Sequence, residues 1–178
     1  FGAGLGGGSA DAAFMLKALN QEFQLKITPK KLEQLAAKLG ADCPFFIRNK
    51  PVYATGTGNI FTPVNLSLKG YWLLLVKPDI HVSTAEAYSA LTPTPSEVPL
   101  TELIQKPIVE WKEFIKNDFE KTVFEKQPEI EAIKKEMYRL GALYASMSGS
   151  GSSVYGIFGE MPLYEGRFED CFVVCGEL

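Results

Sequence analysis

Histidine is almost absent from this chain: His81 stands alone. With one histidine, no Cys/His cluster has the spacing of a zinc site, and that chemistry is excluded. Cysteine is scarce too, and three thiols do not make a disulfide framework. Cys171 and Cys175 fall four apart in an expected strand, which would set their Cα atoms roughly 13 Å apart, too far to bridge. Buried free thiols in a reducing compartment are the expectation. There is no excess of basic charge, since 18 Lys and Arg face 21 Asp and Glu for a net charge of -3. No electrostatic case for nucleic acid or a membrane surface follows. Nor is there a long apolar run, because the stretch from Tyr71 to Val76 is far too short to span a bilayer. Repeats and low-complexity tracts are missing as well. What remains is 46% apolar and 22% charged over 178 residues, ordinary for a globular chain of one or two small domains.

Glycine, by contrast, is concentrated at the start. Gly2, Gly4, Gly6, Gly7 and Gly8 crowd the first eight residues, ahead of Ser9-Ala10-Asp11. Ordering glycine costs entropy, so such a cluster points to positive φ angles or to something pressed against the backbone. Ala12, Met15, Leu16, Leu19 and Phe23 then recur at helical spacing, with Ser9 placed as N-cap and Asp11 in the first turn. A glycine loop running into a capped helix suits an anion on free N–H groups. The same residues also suit a tight glycine turn leading into a core helix.

Two phosphate loops can be set aside. A Walker A loop needs Gly-Lys-Ser/Thr, but Gly8 is followed by Ser9 and Ala10, with no lysine before Lys17. Gly2, Gly4 and Gly7 satisfy GxGxxG, yet a dinucleotide fold needs a strand before it and an acid closing the next strand. Neither is found here.

The stretch GLGGGSADAA resembles the second motif of the GHMP kinases, in the variant that acts on 4-diphosphocytidyl-2-C-methyl-D-erythritol in the non-mevalonate isoprenoid pathway. Gly40-Ala41-Asp42-Cys43-Pro44-Phe45-Phe46 and Ser148-Gly149-Ser150-Gly151-Ser152-Ser153 match that family in order and rough spacing. The likeness runs from residue 1 to about 158. It implies an ATP-dependent kinase, using ATP and Mg²⁺, that phosphorylates the 2-hydroxyl of a cytidine diphosphate-linked methylerythritol in the cytoplasm. Another GHMP kinase, acting on mevalonate, homoserine or a sugar, stays open, as does a non-catalytic nucleotide-binding module. No nucleic-acid or membrane partner is implied, and the oligomeric state is left open.

The expected fold class is α+β, because hairpins sit among helices and strand–helix alternation is incomplete. The resemblance implies a two-lobe fold, with this chain covering the phosphate-loop helix and the C-terminal lobe. Residues 1–50 would be the remainder of the N-terminal ATP-binding lobe, and residues 51–178 mostly the C-terminal lobe. Phe1 falls inside a motif and is not an initiator methionine, so a preceding portion is expected. Targeting would be written there. The family carries in that portion a lysine and part of the substrate pocket, so the 178 residues alone are expected to be inactive.

Along the chain, Thr28 and Pro29 open a helix with Leu32, Leu35, Ala36 and Leu39 inward and Gly40 as its terminator. Pro44 reads as a bar to further helix, with a strand starting at Phe45, Phe46 and Ile47. Strands over 51–55 and 59–64 flank Gly56-Thr57-Gly58, and 71–77 is a buried strand. Ser83 and Glu86 form a capping box ahead of Tyr88. A proline-rich loop spans 92–99, and short helices are expected near 101–106 and 110–117. Pro128 opens a longer helix with Ile130, Ile133, Met137 and Leu140 inward and Gly141 at its end. Strands over 143–147 and 154–158 and a short one at 171–175 complete the reading.

For the site, the resemblance assigns ATP to Gly2, Gly4, Leu5, Gly6, Gly7, Gly8, Ser9 and Ala10. Ser9 has two readings, as donor to a phosphate oxygen or as ligand of Mg²⁺; Asp11 reads as a metal partner or as a dipole charge. Metal ligands stay unassigned. Asp42 is the expected general base, wedged between Cys43 and two phenylalanines, although an aspartate bonding local backbone reads as well. Ser150 and Gly151 are expected at the substrate, or else in a plain hairpin turn. Thr84 and Tyr88 are implied in substrate binding, Tyr88 stacking on the cytosine ring, against the alternative of a core aromatic. His81 reads as a loop residue rather than a base.

Overall fold

The computed structural model describes residues 3–89, 91 and 98–178. The chain divides into two compact units, Gly6–Leu66 and Ser67–Leu178, the latter joined by the short strap of residues 3–5.

The first unit opens with α1, Gly7–Glu22. Its N-cap is Gly6 in the left-handed region (φ 63°, ψ 24°), not Ser9. A left-handed residue without a Cβ turns the chain straight into the helix, so the helix begins before the serine can cap it. Asp11 is therefore the fifth helical residue and lies outside the first turn. The expected apolar stripe is corrected as well. Ala13 is buried, with Ala12 and Leu16 packed beside it, whereas Met15 is 59% and Phe23 66% exposed. Periodicity marks a face, but the neighbouring helices meet α1 on its alanine side.

In α2, Pro29–Ala36, the Thr28 hydroxyl caps the helix by accepting from Lys31 N–H at 3.4 Å, as expected. Leu32 and Ala36 point inward, while Leu39 lies past the helix end and is exposed. Next comes a helix, α3, Cys43–Arg48, where a strand was expected from Phe45. Proline has no N–H to give, and the first helical turn is where none is missed; Pro44 thus starts this helix rather than barring it. Cys43 and Ile47 join Ala13, Leu32 and Ala36 in a small core. Strands β1, Val52–Thr55, and β2, Ile60–Pro63, pair antiparallel from Val52 opposite Pro63 to Thr55 opposite Ile60, closing the expected hairpin.

The second unit is built on β3, Trp72–Pro78, a buried strand as expected. It is followed by α4, Thr84–Ser89, where Ser83 Oγ accepts from Glu86 N–H at 3.4 Å, half of the expected capping box. The expected loop at 92–99 lies mostly outside the described residues. Then come α5, Leu100–Leu103; α6, Ile108–Phe114; α7, Phe119–Lys126; and α8, Pro128–Arg139. The helix expected over 110–117 stops at Phe114, and α7 was not foreseen. Strands β4, Tyr144–Met147, β5, Val154–Phe158, and β6, Cys171–Glu177, complete an antiparallel sheet in the order β4-β5-β3-β6. Ile130, Ile133 and Met137 of α8 pack on Leu74, Val76, Ala145, Met147, Val154 and Phe158 of that sheet. This is an α+β arrangement of helices against antiparallel strands, as expected. Cys43 is buried, but Cys171 and Cys175 are only half-buried, and all three thiols are free. Among the described residues, no helix is long and apolar enough to cross a membrane.

Candidate active site

The first unit holds the glycine loop and Asp42. No side chain caps α1, and the first helical hydrogen bond runs from Ala10 N–H to Gly6 O at 2.9 Å. The amides of Gly7, Gly8 and Ser9 consequently have no acceptor among the described residues. They sit at the positive end of a 16-residue helix, and Gly7 and Gly8 are exposed. A Cβ on Gly6 would lie 3.1 Å from the Phe46 ring, whereas one on Gly7 would meet nothing within 4 Å. Gly6 is needed for packing, then, and Gly7 faces open space. Free amides at a helix start fit the phosphates of a nucleotide.

The Ser9 hydroxyl oxygen is 4.0 Å from where a Cβ on Gly40 would stand, which brings the turn before α3 to the start of α1. Two residues on, Asp42 is the N-cap of α3, yet its side chain makes no capping bond. It is exposed rather than wedged among phenylalanines, because Cys43 and Pro44 take the buried positions and Asp42 precedes them on the solvent side. Among the described residues its carboxylate has neither a hydrogen bond nor an ion pair, so it does not bond local backbone. Its Oδ1 lies 3.8 Å from the position of a Cβ on Gly58, in the hairpin turn. No group of three or more His, Cys, Asp or Glu able to hold a metal is found among the described residues.

The second unit holds the remaining expected residues, and its glycine loop is of another kind. Gly4 (φ 74°) lies so close to it that a Cβ would stand 2.0 Å from Ser148 O and 2.9 Å from Gly151 O. Ser148 Oγ donates to Gly4 O at 2.7 Å, and Ser153 N–H donates to Ala3 O at 3.2 Å. Gly4 is thus required by the 148–153 loop. Leu5 is exposed, and Gly2 lies outside the described residues. Ser150 and Thr84, 66 positions apart in sequence, share a hydroxyl–hydroxyl hydrogen bond at 3.2 Å. Ser150 and Gly151 are buried, leaving Gly149 as the exposed tip of the loop. Ser152 and Ser153 are fully buried with hydroxyls that have no partner among the described residues.

Tyr88 is not a core residue. It is 62% exposed and rests edge-on against Phe119, the ring centroids 4.9 Å apart at 75°. The ring is thereby braced on one side and otherwise mostly exposed. His81 is an exposed loop residue, as expected.

Sequence reasoning missed the segment that braces this loop. Asn117 Nδ2 donates to Met147 O and to Gly149 O, both at 2.8 Å, and Glu120 Oε1 accepts from Met147 N–H at 2.9 Å. The available signal was Asn117-Asp118-Phe119-Glu120, an Asn followed three residues later by Glu, which marks a helix start. Tyr144 and Tyr155 lie nearby, and burial pushes both phenols above their ordinary range.

The description "GHMP kinases N terminal domain" matches residues 1–50, and "GHMP kinases C terminal" matches residues 100–165. A 4-diphosphocytidyl-2-C-methyl-D-erythritol kinase from Parabacteroides distasonis is 60% identical over 181 aligned positions, covering 100% of this chain and 66% of the relative. The same-named protein of Bacteroides fragilis is 58% identical, over 99% of this chain and 65% of its own length. A crystal structure of 4-(cytidine 5'-diphospho)-2C-methyl-D-erythritol kinase superposes with a TM-score of 0.75 at 32% identity, covering 88% of this chain and 57% of that one. Homoserine kinase from Cytophaga hutchinsonii has a TM-score of 0.66 at 16% identity over 100% of this chain and 67% of that one, a likeness of fold alone. The chain spans about two thirds of the length of the relatives it matches. With both family halves matched in order around the glycine loop and the Asp42 turn, the chain belongs to the GHMP kinases.

Proposed function

We propose that this chain carries the phosphoryl-transfer machinery of an ATP-dependent kinase acting on the 2-hydroxyl of 4-diphosphocytidyl-2-C-methyl-D-erythritol. The observation that carries the reading is the free Asp42 carboxylate in the same unit as three free amides at the start of α1. Phosphoryl transfer asks a protein for positioning and charge stabilisation. Gly7, Gly8 and Ser9 donate to phosphate oxygens of ATP, and the α1 dipole favours the negative charge there. Asp42 accepts the proton of the acceptor hydroxyl while its oxygen bonds to the γ-phosphorus and ADP departs with the bridging oxygen. Mg²⁺, when bound, neutralises phosphate charge, and Ser9 offers the hydroxyl oxygen on this chain suited to it.

The second unit supplies recognition. Tyr88, a mostly exposed ring, stacks on the cytosine ring, and Thr84 with the 148–151 loop contacts the rest of the acceptor. Such a reaction belongs in the cytoplasm, where ATP is held. The names of the relatives support this acceptor over mevalonate, homoserine or a sugar. The test is ADP release by the full-length protein with each of these four acceptors. Turnover is expected with the cytidine compound, and ATP binding without turnover on any acceptor would overturn the proposal.

A further inference from the structure

We infer that Asn117–Glu120 is a single positioning element for the acceptor, holding both the 148–151 loop and the Tyr88 ring; what those pieces hold rests on the kinase reading above. The Asn117 amide is fully engaged. Its two N–H groups reach Met147 O and Gly149 O at 2.8 Å each, straddling the point where β4 becomes the loop, and its Oδ1 accepts from Phe119 N–H at 3.0 Å. No donor is left for a ligand. Glu120, 8% exposed, takes Met147 N–H at 2.9 Å and Ser146 Oγ at 3.3 Å on Oε1, and Lys134 Nζ at 2.6 Å on Oε2. The two side chains together hold the N–H and the C=O of Met147, the residue immediately before the loop. Between them Phe119 sets its ring at 75° to that of Tyr88.

A buried ion pair is a poor way to gain stability, because apolar residues of the same volume often do as well or better. Directional bonds to one peptide unit, by contrast, fix where a loop points. Beyond its anchors the loop is held by Ser148 Oγ on Gly4 O and by Ser150 on Thr84. The turn therefore anchors the base of the loop and abuts the Tyr88 ring, while Asn117 keeps no donor for an acceptor.

The test uses the full-length protein with Asn117→Asp, Phe119→Leu and the core control Ile133→Val. Asn117→Asp keeps the acceptor for Phe119 N–H but presents two carbonyls with no donor; Asn117→Ser replaces it if it does not fold. Its expected signature is an acceptor KM raised about tenfold with the ATP KM within about twofold, a split that general destabilisation does not produce. Amide exchange at Gly149–Gly151 should quicken about tenfold, reporting local opening of the loop. Phe119→Leu should raise the acceptor KM about threefold, without quickening exchange in the loop. The inference is overturned if Asn117→Asp moves neither quantity, or if Ile133→Val reproduces both at a matched loss of Tm. Absence of turnover with the cytidine acceptor in the unsubstituted protein sinks the kinase reading instead, and amide exchange then still decides whether the turn holds the loop.

Discussion

The chain has two glycine-rich loops that look alike as strings of small residues and differ in what their atoms do. At the start of α1, Gly7, Gly8 and Ser9 keep their amides free, and a Cβ on Gly7 would meet open space. In the 148–153 loop the bonds that are made stay within the protein: Ser148 on Gly4, Ser150 on Thr84, and the Met147 and Gly149 carbonyls on Asn117, while the Ser152 and Ser153 hydroxyls are buried. The first loop leaves backbone donors without an acceptor among the described residues. The second is a bearing, packed from within its own unit. Small residues therefore signal two physical needs, exposed backbone donors or close backbone approach, and composition alone does not say which.

The largest effect expected from this contrast falls on the free carboxylate in the same unit as the open loop. Asp42→Asn in the full-length protein should lower kcat roughly 100- to 10,000-fold while ATP still binds, because the amide keeps the shape and cannot take a proton. Near-normal turnover in a coupled ADP assay would remove Asp42 from the chemistry. Next comes a paired substitution aimed at the loops themselves. Gly4→Ala drives a Cβ to 2.0 Å from Ser148 O at a positive φ, and should destabilise the protein by about 3 kcal/mol in thermal or denaturant unfolding. Gly7→Ala should shift stability by less than about 1 kcal/mol, since alanine suits a helix, yet raise the ATP KM about tenfold by projecting a methyl among the free amides. If both alanines behave alike, the distinction between an open loop and a packed one fails. Tyr88→Ala should raise the KM for the cytidine acceptor by the roughly 1–3 kcal/mol of a lost base stack, with little change in Tm because the ring is mostly exposed.

What the sequence made legible follows from how local each signal was. The hairpin at Gly56-Thr57-Gly58, the Thr28-Pro29 helix start and the inward face of α8 are written in residues a few positions apart, and all were readable. Pro44 was misread because proline speaks twice, as breaker inside a helix and as starter in its first turn, and only the preceding turn decides between them. The α1 stripe was misread because periodicity does not name what covers a face. The reason for Gly4 lay 144 positions away, at Ser148, where no local pattern reaches. Asp42 was singled out from its motif, but its free, exposed carboxylate could be seen only once α3 was found to begin there without using it.

The smallest expected effect tests whether the braced side is also the alkali-sensitive one. Burial, reinforced by the neighbouring Tyr155 phenol, holds the Tyr144 phenol above its ordinary value of 10.0, and burial raises Tyr138 and Tyr155 in the same direction. The folded state thus keeps protons that the unfolded chain releases near pH 10. The contribution is fully present below that pH and is lost as pH rises, by about 1.4 kcal/mol per pH unit for each phenol still protonated when folded. Tyr144 also donates its hydroxyl to Ile115 O at 3.2 Å, two residues before Asn117. Tyr144→Phe should cost about 1 kcal/mol at pH 8 through that lost bond, yet fall less steeply with pH above 10, so that the two unfolding curves converge. Parallel curves between pH 8 and 11 would mean that these phenols titrate alike in both states, and that the mount of the 148–153 loop is no drier than the surface.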